Sequence, residues 1–236
     1  MQFISRKARV DGAFEGECTV LGPSTVGKNS LLGLNVVVGY PVRKSLQKLS
    51  FSKEFKMETL DKISRGARIG ENCVLRSGSI IYETADIGNE VETGHNVLIR
   101  EGSVVGDGTR IGSSAQLDGT VKIGQKVSIQ SNVYLPHLTV IEDNVFLAPN
   151  VVVTNDPYPP SQRRIGITVE KNAIIGANAI IVARTRVGEN SVVSAGAIVT
   201  KDVPPNKVVM GVPARVYATR KEYDLKMRRW EKSEEE

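Results

Sequence analysis

Aliphatic residues return every six positions through the middle of this chain. Ile, Leu or Val occupies Ile63, Ile69, Leu75, Ile81, Ile87 and every sixth position onward to Val153, with Thr93 the single departure among sixteen. Four residues after each of the first fifteen stands a small or β-branched residue, from Ala67 and Cys73 to Val145 and Val151. A helix would repeat at 3.6 residues, whereas a fixed hexapeptide period is the mark of a parallel β-helix. Positions i and i+4 share parity, so on a pleated backbone their side chains leave by the same face. Each step is then a short strand plus a corner, and three steps close a triangular coil of 18 residues. Position i+3 holds Gly or Asn at nine of fifteen corners, among them Gly66, Asn72, Gly78 and Asn132. These are the residues that tolerate positive φ.

The same period runs on both sides of this block. Phe14, Val20, Val26, Leu32 and Val38 mark the first coils, from about Ala8 to Val38, and Val169 to Val199 mark the last ones. About nine coils are expected in all. Residues 40–62 break the repeat with a polar, basic run and must leave the coil as a loop or hairpin, covering a neighbouring copy or a ligand, or simply solvated. Residues 154–166 break it again. Its turn formers and the pair Arg163 and Arg164 make that segment a loop, and loops on rigid scaffolds carry function disproportionately. Asn155, Arg163 and Arg164 are therefore candidates to hold a substrate.

Beyond Tyr217 the chain turns polar and charged. Residues 217–230 read as a helix with Tyr223, Met227 and Trp230 near one face, placed to cover the open end of the coil. The expected organisation is one elongated all-β domain over 1–216, followed by a charged helical tail over 217–236.

Composition changes this picture little. Aromatics are 5% and glycines number 22, as suits a coil with a thin aliphatic interior. The formal charge of +5 is spread among interspersed acids and bases, with no basic stripe carrying aromatics. Nucleic acid is therefore not the expected partner, and phosphate-bearing small molecules are. Cys18 and Cys73 both fall at i+4 interior positions, outside any metal-ligand spacing, and read as buried fillers. Met1–Ile4 shows no signal-peptide start and no run of 18 apolar residues exists, so a soluble, cytoplasmic protein without membrane contact is expected.

The hexapeptide pattern resembles that of the left-handed β-helix superfamily, and the left hand is taken from that resemblance. The ending is its most specific part. Val193-Ser194-Ala195-Gly196-Ala197-Ile198-Val199-Thr200-Lys201-Asp202-Val203-Pro204-Pro205, then Gly211-Val212-Pro213-Ala214-Arg215, is similar to the last coil of coenzyme A–dependent hexapeptide acetyltransferases. The resemblance implies a homotrimer with acetyl-CoA lying between neighbouring β-helices. Backbone at Ala177 and Ala195 would meet the pantetheine arm, and Thr200, Lys201 and Arg215 the nucleotide end. Physically, Ala177 and Ala195 are 18 residues apart, hence one coil apart, and both are small enough for an extended arm to approach. No metal is expected.

A second stretch, 127–159, with Ile141-Glu142-Asp143-Asn144-Val145-Phe146-Leu147-Ala148-Pro149-Asn150 and Thr154-Asn155-Asp156-Pro157-Tyr158-Pro159, resembles the nucleotide-sugar N-acetyltransferases. Ala148 stands where their common pattern has Gly. The implied reaction moves an acetyl group from acetyl-CoA to the amino group of a nucleotide-linked amino sugar. The chain has two histidines. His95 lies at corner position i+2 beside the departing Thr93, and Asn132 falls on the same face two coils later. Relatives acting on dTDP-amino sugars place a His and an Asn in a similar relation beside the acceptor amine. Asn132 is equally an ordinary corner residue. His137 occupies i+2 on a different face, and the spacing of 18 stacks it on Asn155. His95, Asn132 and His137 are thus the catalytic candidates, a histidine serving as proton acceptor at neutral pH. Three competing readings stand. One is O-acetylation of a sugar or other hydroxyl, and another is a non-catalytic β-helix scaffold. The third, a γ-class carbonic anhydrase, needs three metal-bound histidines and is disfavoured by having two.

Overall fold

In the computed structural model, residues 2–49 and 55–233 are described. Met1, positions 50–54 of the first interruption and positions 234–236 of the tail lie outside the described residues. The chain winds as a triangular parallel β-helix. Its first face runs from Phe3–Ile4 to Ile198–Val199 in ten strands, its second from Arg9–Val10 to Arg186–Val187 in nine, and its third from Ala13–Phe14 to Arg215–Thr219 in eleven. The expectation of about nine coils is exceeded on two faces. The winding begins already at Phe3, and a terminal hairpin lengthens the third ladder.

The register is the one the period dictates. Leu98 pairs Gln116 and Gln116 pairs Tyr134 on the first face, each step being 18 residues. Across the second interruption Val140 pairs Thr168, so the loop is extruded without disturbing the ladder. The sixth-position residues are interior: Leu75, Ile81, Ile87, Leu117 and Leu135 are all fully buried. Each contributes about 1.5–3 kcal/mol relative to an exposed position. Both cysteines are buried as well, and desolvation raises both thiols above their ordinary range, which keeps them protonated and inert. Thr93 is also interior, its hydroxyl accepting the Arg76 backbone N–H at 3.0 Å.

Corner chemistry is stricter than composition implies. All the expected Gly and Asn corners have positive φ, and so do Thr84, Glu90, Ser114, Thr120, Lys126 and Leu138 at the same repeat position. The coil imposes the left-handed conformation whatever residue stands there.

The first interruption holds two short helices, α1 (Arg43–Leu46) and α2 (Met57–Ile63), in place of the expected loop or hairpin. Ile63, expected as the first interior residue of the long block, ends α2 half-buried instead. The block's first strand is Arg68–Ile69. Both ends of the excursion are tied to one fully buried carboxylate, Glu83, which accepts Val42 N–H at 3.1 Å and Arg65 N–H at 2.6 Å.

The far end differs from expectation too. Strand Lys207–Met210 continues the third ladder, Arg215–Thr219 pairs back antiparallel, Gly211 and Ala214 bond Ile198, and Val203 bridges Val187. Extended backbone therefore closes all three faces. A helix satisfies its own N–H and C=O groups and has none to offer an open ladder. The helix α3 (Arg220–Ser233) accordingly buries no residue. It is anchored by Arg220, which donates to the carbonyls of Asn172 and Asn190 at 3.2 and 3.1 Å.

Candidate functional site

The coil sorts the candidate residues onto two corners that flank the first face. His95, Asn132, Ala177 and Ala195 sit on the corner between the third and first faces. His137, Asn155, Thr200 and Lys201 sit on the corner between the first and second.

On the first of these corners the expected two-coil relation of His95 and Asn132 holds, about 10 Å by strand spacing. Their side chains do not converge. Asn132 has φ of 60° and its Nδ2 donates to Asn150 Oδ1 at 3.2 Å, a rung of a corner ladder. His95 is exposed, and its backbone N–H donates to Ser113 Oγ at 3.0 Å, while no hydrogen bond orients its ring among the described residues. Ala177 and Ala195 lie one coil apart as expected, the Ala177 carbonyl accepting Gly196 N–H at 2.8 Å. Ala195 is exposed and Ala177 half-buried.

The second corner is more organised. His137 Nδ1 lies 2.9 Å from the Gly119 carbonyl oxygen, and Asn155 Nδ2 donates to the His137 carbonyl at 3.4 Å. A carbonyl oxygen can only accept, so Nδ1 carries the proton and the Nε2 lone pair is left free. That is the tautomer a general base requires. The imidazole stands where a side chain of residue 119 would be, since an added Cβ would fall 2.6 Å from His137 Cε1.

Beneath it lies a network absent from the sequence-based candidates. Arg100 grips Glu101 with Nε and Nη2 at 3.1 and 3.0 Å, and reaches Asp118 Oδ1 with Nη1 at 2.6 Å. Tyr134 donates its hydroxyl to Asp118 Oδ2 at 3.1 Å, and Arg100 lies over the Tyr82 ring, 5.5 Å from its centroid. Burial, with the Asp118 charge beside it, pushes the Tyr134 phenol up, so it remains a donor. A signal for this cluster existed, because Tyr82, Arg100 and Asp118 follow one another at intervals of 18.

The loop over this corner is held shut by Ile165 N–H donating to Asn155 O at 2.9 Å. Asp156 accepts Ser161 Oγ–H and N–H, both at 2.7 Å, and Tyr158 N–H at 3.0 Å. Arg163 and Arg164 are exposed, and the Arg164 charge acts on both Tyr134 and Asp156. Further along, Lys201 and Arg215, distant in sequence, line one cleft of about 280 Å³ with Asp202 and Pro204. Thr200 is exposed at its edge.

The repeat itself matches a family model, hexapeptide repeat of succinyl-transferase, over residues 23–44, 102–136 and 166–201. The matched residues are those that carry the hexapeptide repeat of the coil. Among curated relatives of this hexapeptide-repeat protein, the galactoside O-acetyltransferase of Escherichia coli is 40% identical over 109 residues, covering 39% of this chain and 54% of the relative. A 2,3,4,5-tetrahydropyridine-2,6-dicarboxylate N-acetyltransferase of Staphylococcus aureus is 44% identical over 73 residues, 31% of this chain and 30% of that one. The hexapeptide-repeat chain thus spans about half the length of the galactoside acetyltransferases it matches. A solved UDP-N-acetylglucosamine acyltransferase of Francisella novicida shares the fold with a TM-score of 0.65 at 19% identity, over 91% of this chain and 73% of the other.

Proposed function

We propose that this protein is an acetyl-CoA-dependent acetyltransferase acting on the amino group of a nucleotide-linked amino sugar. The observation that carries the reading is His137, whose Nδ1 is bound to the Gly119 carbonyl and whose Nε2 is free, on the same corner as Lys201. Three coils separate them, through Asn155 and Ala183, or about 14 Å. Lys201 and Arg215 hold the nucleotide end of acetyl-CoA in their shared cleft through charge-assisted contacts.

His137 then takes the proton from the acceptor amine as its nitrogen attacks the thioester carbonyl. It returns that proton to the departing CoA thiolate as the carbon–sulfur bond breaks, so the products are an amide and free thiol. Asn155 and Arg164 bind the acceptor from the loop, and Arg163 stands at its rim. His95 and Asn132 keep a role in holding ligand on the opposite corner.

Homotrimer assembly fits this arrangement. The outward positions of the first face are apolar at Val37, Ile80, Leu98, Val152, Ile180 and Ile198, whereas the second face presents Arg9, Arg68, Asp86, Lys122 and Arg186. A neighbouring copy covering the first face would bring the Ala177–Ala195 corner of one subunit to the His137 corner of the next. The setting is proposed to be the cytoplasm; among the described residues no helix is long and apolar enough to cross a membrane.

A second reading is O-acetylation of a sugar hydroxyl, favoured by the likeness to the Escherichia coli galactoside O-acetyltransferase. Release of free CoA is to be measured with UDP- and dTDP-amino sugars and with galactosides, comparing wild type, His137→Ala and His95→Ala. Turnover on an amino sugar with a 10²–10⁴-fold loss in His137→Ala, roughly the worth of general-base catalysis, is the expected result. Turnover on hydroxyl acceptors alone would replace the first reading by the second, and failure to bind acetyl-CoA would leave a scaffold.

A further inference from the structure

The excursion between Tyr40 and Ser64 bears chemistry that acetyl transfer by itself does not use. Its helix α1 stands beside the corner that leads to His137, and between them is a cleft of about 540 Å³ lined by Val42, Arg43, Lys44, Gln47, Arg65 and Glu101. Three cations face one carboxylate, which Arg100 also holds. Glu101 is gripped through both oxygens by Arg100. Arg43 and Lys44 are exposed and have no ion pair among the described residues. Arg65 approaches Glu83 only at 3.6 Å, and the Glu83 oxygens already accept two backbone N–H groups. With Arg65 set against Glu83, and Arg100 shared between Glu101 and Asp118, Arg43 and Lys44 leave the cleft with a net positive charge.

Glu83 is what makes this a built feature. A fully buried carboxylate is costly unless it is well bonded, and this one is bonded to the N–H groups that begin and end the excursion. It thereby sets Arg43 and Arg65 side by side although 21 residues lie between them in the chain. The coils that precede Glu101, on the side away from His137, carry an aromatic pair. Tyr40 and Tyr82 meet edge to face at 5.1 Å, with Arg100 over the second ring.

We propose that this cleft is the subsite for the diphosphate of the acceptor, with Arg43, Lys44 and Arg65 taking the phosphate oxygens. The proposal deepens the acetyltransferase reading and rests on it for the identity of the ligand. Glu101, Gly119 and His137 succeed one another along the corner at 18-residue steps, so His137 lies about 10 Å beyond the cleft. A nucleoside diphosphate bound there directs its sugar towards the free Nε2. Lys201 and Arg215 hold the other phosphate-bearing ligand from the opposite direction. Two separate cationic clefts thus bracket one histidine.

The test is isothermal titration of UDP, dTDP and inorganic pyrophosphate into the full chain and into Arg43→Ala/Lys44→Ala. Both positions are exposed, so melting temperature and acetyl-CoA affinity should be unchanged in the variant. Wild type should bind each probe with an affinity that falls as salt rises, and the variant at least 10-fold more weakly. Equal affinities in the two proteins would overturn the proposal, as would no binding of any probe to wild type. Dissociation of the oligomer in the variant with unchanged UDP affinity would reassign the cleft to a subunit contact. Turnover separates this proposal from the reading beneath it. Equal transfer to a free amino sugar and its nucleotide form would retain the acetyltransferase and remove the subsite. UDP binding lost in the variant, with no acetyl transfer to any acceptor, would retain the subsite and remove the acetyltransferase.

Discussion

The His137 imidazole occupies the space that a side chain at residue 119 would fill, its Nδ1 2.9 Å from the Gly119 carbonyl and 2.8 Å from a Cβ built on Gly119. Gly119 also has φ of 89°, a conformation that L residues avoid. One glycine thus supplies the ring's berth and the acceptor that selects its tautomer.

Gly119→Ala should therefore expel the ring while leaving the coil folded. The expected outcome is a fall in kcat of at least 10-fold with KM for acetyl-CoA unchanged, read from initial rates. Equal losses in stability and activity would mean that the change acts through folding instead.

Lys201→Ala and Arg215→Ala should each weaken acetyl-CoA binding by about 10-fold or more, since hydrogen bonds to charged groups are worth about 1.5–3 kcal/mol. The two losses should be non-additive, because both residues line one cleft. Calorimetry on the double variant checks this. Independent, fully additive losses would separate the two residues.

Glu83→Gln keeps the shape but replaces one acceptor oxygen by an NH₂ facing a backbone N–H. Leaving that buried N–H unpaired costs about 1–3 kcal/mol. Thermal melting should fall accordingly, and amide exchange should quicken at Val42 and Arg65 before it does at Ile81. Unchanged exchange at both sites would contradict the tie.

Thr120 holds φ of 47° at a corner, an unfavourable conformation for a β-branched residue. Thr120→Asn should stabilise the coil by about 1 kcal/mol, the scale of the left-handed penalty. The melting temperature reads it, and a fall would show that the Thr side chain holds more than the corner.

Asp156 should make the loop sensitive to acid. Its hydrogen bonds from Ser161 hold it below the ordinary carboxylate range. A depressed pKa contributes order that is present above the unfolded value and lost as pH falls through the folded one. Exchange at Ser161 N–H should therefore quicken as pH drops below about 4, after correction for intrinsic rates. Asp156→Asn should remove the dependence.

Much of the site was legible before any coordinates. The period placed His95 and Asn132 two coils apart and His137 beneath Asn155, and the ladders reproduce both relations. Choosing between the histidines was not possible from spacing, because the difference lies in what each ring touches. Tyr82, Arg100 and Asp118 were in step at 18 residues, yet their meeting with Tyr134 required knowing which outward side chains lean together. The interruption at 40–62 was recognisable only as a break. Its two helices and their attachment to Glu83 depend on contacts over 18 to 41 residues.

Sequence by itself determined the coil, its register, its aliphatic interior and its left-handed corners. Each of these follows from a local rule, side-chain parity and positive φ, repeated until it propagates through the chain. Tertiary structure alone decided which histidine is oriented, where Lys201 meets Arg215, and how one buried carboxylate turns a break in the repeat into a cationic cleft. Those features join residues across coils through side chains, and a repeat that specifies every coil alike carries no information about where the coils differ.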